Sequence, residues 1–366
     1  MKAKKLFCAL LVSVVLTVPA LSGCGDNNGS SNASSTASSV SASSAESAAS
    51  AEPTSSTEPT SSTEPASSTE PASSADPTPS TAPDGNTITP AAWKVEDKDG
   101  HIIYMMGSIH VGDNAIDYMP DYVEEAYSYC DALAVEADIS GIMEDNTQVQ
   151  QYMSSFLYMD GSSIRDHISE ATYNGAVDKL TQANLYNAIY DHFKPFVWNS
   201  LLSSTVLSKN GLSYNKGVDL MFTNRAKKDN KTILEVESLQ YQFDLFDSFS
   251  DELNDMMIAE YLQPGYDDYA DAITLEMYNK WKEGRMSEMS AISSTFSNTD
   301  PDKQALRDEY NDKLVITRNR NMTNTAEQYL NNGQKVFFLV GSLHYYGESG
   351  ILNLLEKDGY TVTLLS

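Results

Sequence analysis

Two histidines far apart in the sequence end the same short motif. His110 closes Gly-Ser-Ile-His at residues 107–110, and His344 closes Gly-Ser-Leu-His at residues 341–344. An apolar, β-prone run precedes each motif and a glycine follows it, which is typical of a strand that ends in a tight turn. Ligands bind at the carboxyl ends of strands in α/β sheets. The pair therefore predicts two imidazoles that converge on one metal ion or one substrate.

Glu136 is the carboxylate best placed to join the two imidazoles. It follows an apolar run at residues 132–135, which predicts a buried strand, and a carboxylate is costly to bury unless it is paired or bound to a metal. First-row divalent ions take imidazole and carboxylate ligands, and catalytic sites keep one position for water. The predicted metal ligands are His110, Glu136 and His344. The alternative for each of them is a structural, hydrogen-bonded role.

Three further charged residues are candidates for catalysis. A bound cation lowers the pKa of water and polarises a carbonyl. Glu235, in a second predicted buried strand at residues 231–237, is a candidate general base, and Arg318 is a candidate for stabilising an oxyanion. Asp219 is a further candidate carboxylate. The alternatives are that Asp219 caps its helix and that Arg318 is one of several solvated charges on a long helix.

The other reactive residue types favour structural roles. His101 is expected in a hairpin, and His167 and His192 on helices. Cys130 is expected to be a buried, inert thiol. The sequence contains no dinucleotide-binding glycine motif, no P-loop, no Gly-x-Ser-x-Gly elbow and no His-Glu-x-x-His helix.

The amino-terminal segment predicts export and lipid anchoring. Lysines precede a short apolar stretch in residues 1–23, which is typical of a secretory signal and too short for a stable membrane span. The signal ends in Leu-Ser-Gly before Cys24, which resembles the lipobox of bacterial lipoproteins. We therefore expect an extracytoplasmic bacterial membrane lipoprotein, attached to the membrane only through lipid on Cys24.

Residues 24–88 predict a disordered tether. The segment is built from Ser, Thr, Ala, Pro and Glu, and a Glu-Pro-x-Ser-Ser-x hexapeptide recurs in it. Such a composition has almost no apolar surface with which to offset the entropy of ordering. Regular proline and acidic charge should keep the segment extended.

The charge balance excludes one class of partner. The chain of 366 residues has 51 acidic and 24 basic side chains and a formal net charge of −27. This argues against nucleic acid as a partner and against polybasic attraction to anionic lipid.

Residues 89–366 predict one large α/β domain. Two β-prone runs around residues 97–100 predict a hairpin, and later strand patterns alternate with helical ones. A nearly all-helical stretch separates the first strand units from the last, which brings the two histidine turns together in space though not in sequence.

Six motifs of the sequence resemble those of a known protein family. The TraB/GumN family, which includes the Tiki proteins, has paired Gly-x-x-His motifs and intermediate motifs in this order: Gly107-Ser-Ile-His110-Val-Gly112, Ala134-Val-Glu136-Ala-Asp138, Tyr214-x-x-Gly217-x-Asp219, Leu234-Glu235 with Gln240, Arg318-Asn319 with Met322, and Gly341-Ser-Leu-His344 with Gly347. The resemblance covers about residues 93–366.

The resemblance implies a fold and an activity. The fold is an α/β core similar to those of erythromycin esterase (EreA) and ChaN, with a large helical insertion. The activity implied is that of a divalent-metal-dependent peptidase, with Mn²⁺ or Co²⁺ favoured over Zn²⁺. His110, Glu136 and His344 would surround the metal, with Asp219, Glu235 and Arg318 nearby.

Three functional hypotheses follow. The first is a surface-anchored, metal-dependent hydrolase that acts on a peptide or protein segment. The second is a non-catalytic lipoprotein that binds a peptide or a metal. The third is an esterase-like hydrolase that uses His110 as a general base without metal.

Overall fold

The computed structural model describes residues 87–139, 141, 146–206, 210–289 and 301–365. All of them belong to one of the two compact units of the chain. The predicted signal segment, the lipidation site Cys24 and the tether up to residue 86 lie outside the described residues.

A six-stranded mixed sheet carries the two histidine motifs. Its strand order is β4-β3-β5-β2-β1-β6. The four strands from β4 to β2 are parallel, and β1 and β6 extend the sheet in antiparallel pairing. The strands are β1 (Ala92–Glu96), β2 (Ile102–Ser108), β3 (Ala132–Val135), β4 (Thr232–Glu235), β5 (Val336–Gly341) and β6 (Thr361–Leu364).

The predicted hairpin is confirmed as β1 and β2. Its turn uses Gly100 at a φ of +83°, a left-handed conformation that glycine adopts without strain. The Asp97 carboxylate accepts hydrogen bonds from the backbone N–H groups of Asp99 and His101. His101 also bonds to Asp97 through its ring, so its predicted structural role in the hairpin is confirmed.

The central strands are buried on both faces because helices cover them. Every residue of β3 is buried, and so are the first five residues of β5, as expected of apolar strands in the middle of a parallel sheet. The prediction that the second strand, at residues 231–237, would be buried was wrong. It forms β4 at the sheet edge, where Thr232 and Glu235 are exposed and the residues between them are half-buried.

Eleven α-helices lie in the described residues. They are α1 (Asp121–Tyr129), α2 (Asn146–Ser155), α3 (Glu170–Gln182), α4 (Pro195–Ser203), α5 (Val218–Lys228), α6 (Leu239–Asp247), α7 (Asp251–Glu260), α8 (Tyr266–Lys282), α9 (Gln304–Asn311), α10 (Arg318–Asn331) and α11 (Ile351–Lys357). Within these residues no helix has the length and apolar character needed to cross a membrane.

The predicted helical stretch between the strands forms a second apolar core. One core cluster surrounds the sheet and includes the buried residues of α5. The other lies among α2, α3, α4, α6 and α7, together with Tyr266 and Leu314. The long helix predicted near residues 303–331 contains a π-helical segment, Asp312–Thr317, between α9 and α10. Arg318 begins α10 directly after it.

Candidate functional site

The two histidine turns emerge side by side. Strands β2 and β5 are parallel neighbours, and Ser108 pairs with Gly341 where both strands end. The Ser342 hydroxyl donates a 2.7 Å hydrogen bond to the Ser108 carbonyl, which ties the two turns together. A side chain at Gly107 would lie 2.6 Å from the Ser342 Oγ atom, so this close approach requires glycine.

His110 is oriented by an acidic side chain from α5. Its Nδ1 atom lies 3.0 Å from Asp219 Oδ1, and because an ionised carboxylate only accepts, Nδ1–H is the donor. Asp219 lies in the first turn of α5, and the Val218 N–H donates to the Ile109 carbonyl next to the histidine. Burial alone would lower the pKa of His110, but the charge and hydrogen bond of Asp219, with a smaller contribution from the Glu136 charge, outweigh it and the pKa is raised.

His344 is buried and neutral. Its Nδ1 atom lies 2.6 Å from Asn319 Oδ1. The Asn319 amide donates a 2.8 Å bond to the Ser349 carbonyl, which leaves Oδ1 to accept from the imidazole. Burial, reinforced by the positive charge of Arg318, lowers the pKa of His344 to about 3.

A buried ion-pair network lies beside the imidazoles. Arg318 Nη2 donates to Glu136 Oε2 over 2.6 Å and to Glu237 Oε2 over 2.8 Å. Arg318 Nε also donates to both oxygens of Glu237. Glu136 Oε1 accepts a 2.7 Å hydrogen bond from the Gly341 N–H. The network therefore connects β3, the segment after β4, α10 and the end of β5.

Burial and Arg318 set the pKa values of the two glutamates apart. Burial would raise the pKa of Glu136, but the positive charge of Arg318 is the main influence that lowers it to about 2. Burial dominates at Glu237, and its pKa is raised despite the same guanidinium. Two carboxylates that share one cation are expected to separate in this way.

Residues 91–364 of the chain match the family model described as the TraB/PrgY/gumN family. The chain belongs to the TraB/PrgY/gumN family. The match spans every residue of the site described above. Comparisons with curated proteins and with solved structures gave no significant match.

The TraB/PrgY/gumN domain brings the three predicted metal ligands to one end of the sheet. The negative charge of Glu136 acts to raise the pKa of both imidazoles, and His110 acts to lower the pKa of His344. Even so, no three His, Cys, Asp or Glu side chains among the described residues are arranged as a metal-binding group. The Glu136 carboxylate is directed instead to Arg318 and to the Gly341 N–H. The metal set stays a prediction.

Glu235 lies apart from this network. It ends β4, is exposed, and its Oε1 atom accepts a 2.9 Å hydrogen bond from the Asp138 N–H. Two residues later, Glu237 is buried and paired with Arg318. Glu237 had no predicted role, although it stands in the same acidic segment at the end of the predicted strand.

Asn319 is the other site residue to which the motifs alone assigned no role. It neighbours Arg318 in α10 and both are buried. The sequence signal that could have identified Asn319 is its place directly beside Arg318, because a polar residue that is buried next to a buried arginine must find hydrogen-bond partners.

Asp219→Asn is expected to lower the pKa of His110. The Asp219 charge and hydrogen bond are what raise this pKa against the effect of burial, and asparagine removes the charge while keeping an acceptor oxygen. The measurement is an NMR titration of the imidazole resonances. Asp117→Asn, which removes a carboxylate paired with Lys216, is the control and should leave the His110 titration in place. An unchanged His110 pKa in Asp219→Asn would contradict this account of the pair.

Proposed function

We propose that this TraB/PrgY/gumN domain is a divalent-metal-dependent hydrolase that acts on a peptide or protein segment. The observation that carries the proposal is the shared orientation of the two imidazoles. His110 and His344 each use Nδ1 on a side-chain oxygen, and within the described residues neither Nε2 atom makes a hydrogen bond. Histidines that bind metals are usually oriented through the other ring nitrogen in this way.

The charges of the site support a bound cation. Glu136 and Glu237 pair with the Arg318 guanidinium, and Asp219 pairs with His110. Three carboxylates therefore face one permanent cation, and the site has excess negative charge when both imidazoles are neutral. The raised pKa of His110 is one way to offset that charge, and a divalent cation on the Nε2 atoms is another. Glu136 Oε1 has one hydrogen-bond donor, Gly341 N–H, and a carboxylate oxygen has a second lone pair for a ligand.

The residues then take the following roles. His110 and His344 would hold Mn²⁺, Co²⁺ or Zn²⁺ together with Glu136, and the cation would activate water and polarise a carbonyl. Asp219 and Asn319 hold the imidazoles in the tautomer that leaves Nε2 free to bind. Arg318 fixes Glu136 through Nη2, while its Nη1 makes no hydrogen bond in the described residues and is the group available to an oxyanion.

Glu237 and Glu235 are the two carboxylates proposed for proton transfer. Glu237 is buried beside Arg318, and burial raises its pKa, which is the direction expected of a carboxyl group that exchanges a proton during catalysis. Glu235 was the candidate from sequence, and it is exposed at the end of β4, outside the Arg318 network.

A metal-free hydrolase is the second candidate. The hydrogen bond from His110 to Asp219 is the arrangement of a general base with its orienting acid, and the ion pair to Arg318 occupies Glu136. In this case hydrolysis would survive chelation, whereas the metal-dependent reaction would not.

The proposal is tested by hydrolysis of a peptide library by the full-length protein. We expect cleavage after chelation and addition of Mn²⁺, Co²⁺ or Zn²⁺, and at least a hundredfold loss of rate in His110→Ala/His344→Ala. The control His101→Ala/His167→Ala removes two histidines that pair with Asp97 and Asp251 elsewhere. Cleavage that persists in chelator supports the metal-free candidate. Stoichiometric peptide binding without turnover under every metal supports a non-catalytic binding protein.

We further propose that the chain is a lipid-anchored extracytoplasmic lipoprotein and that its core is of the EreA/ChaN-like type. The lipobox-like Leu-Ser-Gly-Cys24 and the Pro-containing tether support the anchor. The mixed sheet with paired histidine turns on adjacent parallel strands supports the core. Incorporation of labelled palmitate that is lost in Cys24→Ala is the measurement for the anchor.

A further inference from the structure

The outer edge of β4 is an open sheet edge. This strand ends the sheet and pairs only with β3. In the described part of the chain no backbone hydrogen bond reaches residues 232–235 from outside the sheet. An unpaired strand edge presents a row of N–H and C=O groups to which another extended chain can pair.

The direction of the free groups follows from the ladder. The Val236 N–H donates to the Val135 carbonyl, and the direction of the main-chain groups alternates along a strand. Leu234 and Thr232 therefore bond towards β3, and the N–H groups of Ile233 and Glu235 point outwards. Two outward positions allow pairing with a segment of about four residues.

This edge leads into the site described above. Glu235 ends β4, and the chain then turns inwards to Glu237, whose N–H donates to the Glu136 carbonyl. His344 follows β5, which is two strands from β4. A segment paired with the outer edge of β4 is three strand spacings of about 4.8 Å from β5, or about 14 Å, which an extended chain covers in about four residues. A segment paired with β4 would therefore present its next residues to the two imidazoles.

The charged residues at the two ends of β4 indicate which kind of peptide would fit along its edge. Lys228 is exposed just before β4, while the Lys231 ammonium is bonded to the Cys130 carbonyl. Asp138 and Glu235 lie at the carboxyl end of the strand, with the Asp138 N–H bonded to Glu235. A complementary peptide has a basic residue beside Glu235 and an acidic or uncharged residue at the other end. The tether of the same chain is a poor occupant, because it has no basic residue and a proline in each repeat.

We propose that β4 is the docking edge for an extended peptide, which adds as a strand and places a basic residue beside Glu235. The inference rests on the proposed peptide hydrolase, because it assigns that enzyme's substrate a conformation and a charge. Main-chain pairing supplies affinity and the charged ends supply specificity, as in other cases of recognition by strand addition.

The experiment is selection of linear random decapeptides by display against full-length His110→Ala/His344→Ala, in which cleavage cannot remove bound peptides. We expect enrichment of sequences with a basic residue at one end. Ile233→Pro, which removes an outward N–H, should weaken their binding at least tenfold, and Ile233→Val, which keeps it, should not. Circular dichroism checks that each variant is folded.

A second variant keeps the inference testable if the proline variant misfolds. Glu235→Lys should change the selected end from basic to acidic. The proposal is overturned if no peptides are enriched, if Ile233→Pro and Glu235→Lys leave the selected peptides unchanged, or if β4 mediates only self-association by sedimentation. Peptide binding at β4 without turnover in the wild type would contradict the proposed hydrolase and leave the docking edge standing.

Discussion

Arg318→Ala is expected to lower the free energy of unfolding by about 3–5 kcal/mol, the cost of removing one partner from a buried ion-pair network. The side chains of Arg318, Glu136 and Glu237 are about one-tenth exposed or less. Alanine leaves both carboxylates buried without their cation. Urea denaturation at neutral pH measures the change.

The matched control is Arg320→Ala. Arg320 lies two residues further along α10 and is exposed, so its loss should change the free energy of unfolding by no more than about 0.5 kcal/mol. Glu136→Gln/Arg318→Met/Glu237→Gln, which removes all three charges, should recover part of the stability lost in Arg318→Ala. Equal effects of the two arginine substitutions would contradict the network described for the site.

Glu260→Gln is expected to make the protein more stable than the wild type at high pH. Glu260 lies at the end of α7, is 6% exposed, and its Oε2 atom has no hydrogen-bond partner among the described residues. Burial raises its pKa to about 8, against a smaller lowering by Lys303. The folded protein therefore holds this proton more tightly than the unfolded chain does.

The sign of the pH effect follows from that difference. The stabilising contribution of protonated Glu260 is complete below its unfolded pKa of 4.5 and is lost as the pH rises through about 8. At pH 9 the full difference corresponds to about 3–5 kcal/mol at 1.36 kcal/mol per pKa unit. Glutamine does not titrate, so the advantage of the variant should grow between pH 5 and pH 9.

Urea denaturation at a series of pH values measures this advantage. Glu252→Gln is the control, because Glu252 is exposed in the first turn of the same helix, and its difference from the wild type should stay nearly constant above pH 6. A Glu260→Gln advantage that is flat from pH 5 to pH 9 would show that the carboxyl group is not held in its protonated form.

The sequence identified the site residues that belong to a motif. Matching Gly-Ser-x-His motifs after two apolar strands predicted that His110 and His344 lie at the same end of the sheet, and β2 and β5 are indeed parallel neighbours. Glu136 was found because an acid directly after a fully apolar strand must have a partner. That partner is Arg318, which lies on a helix 182 residues later, and no local pattern connects the two.

The sequence could not show which of Glu235 and Glu237 joins the buried network. Residues two apart share one face of a strand, so an extended segment would place both acids together. In the structure β4 ends at Glu235, and the chain turns so that Glu237 enters the core while Glu235 stays in solvent. A local sequence pattern also does not determine the order of strands in a sheet. For this reason the apolar run of β4 was expected to be buried, whereas it forms the open edge of the sheet.

Calorimetric titration of the full-length protein shows whether the two imidazoles bind one divalent cation, as we propose. Mn²⁺, Co²⁺ and Zn²⁺ are each added to the chelated wild type and to His110→Ala/His344→Ala, with His101→Ala/His167→Ala as the control. The proposed metal site predicts one cation per chain in the wild type and the control, and none in the double variant. Binding that is equal in all three proteins, or absent from all three, would contradict it.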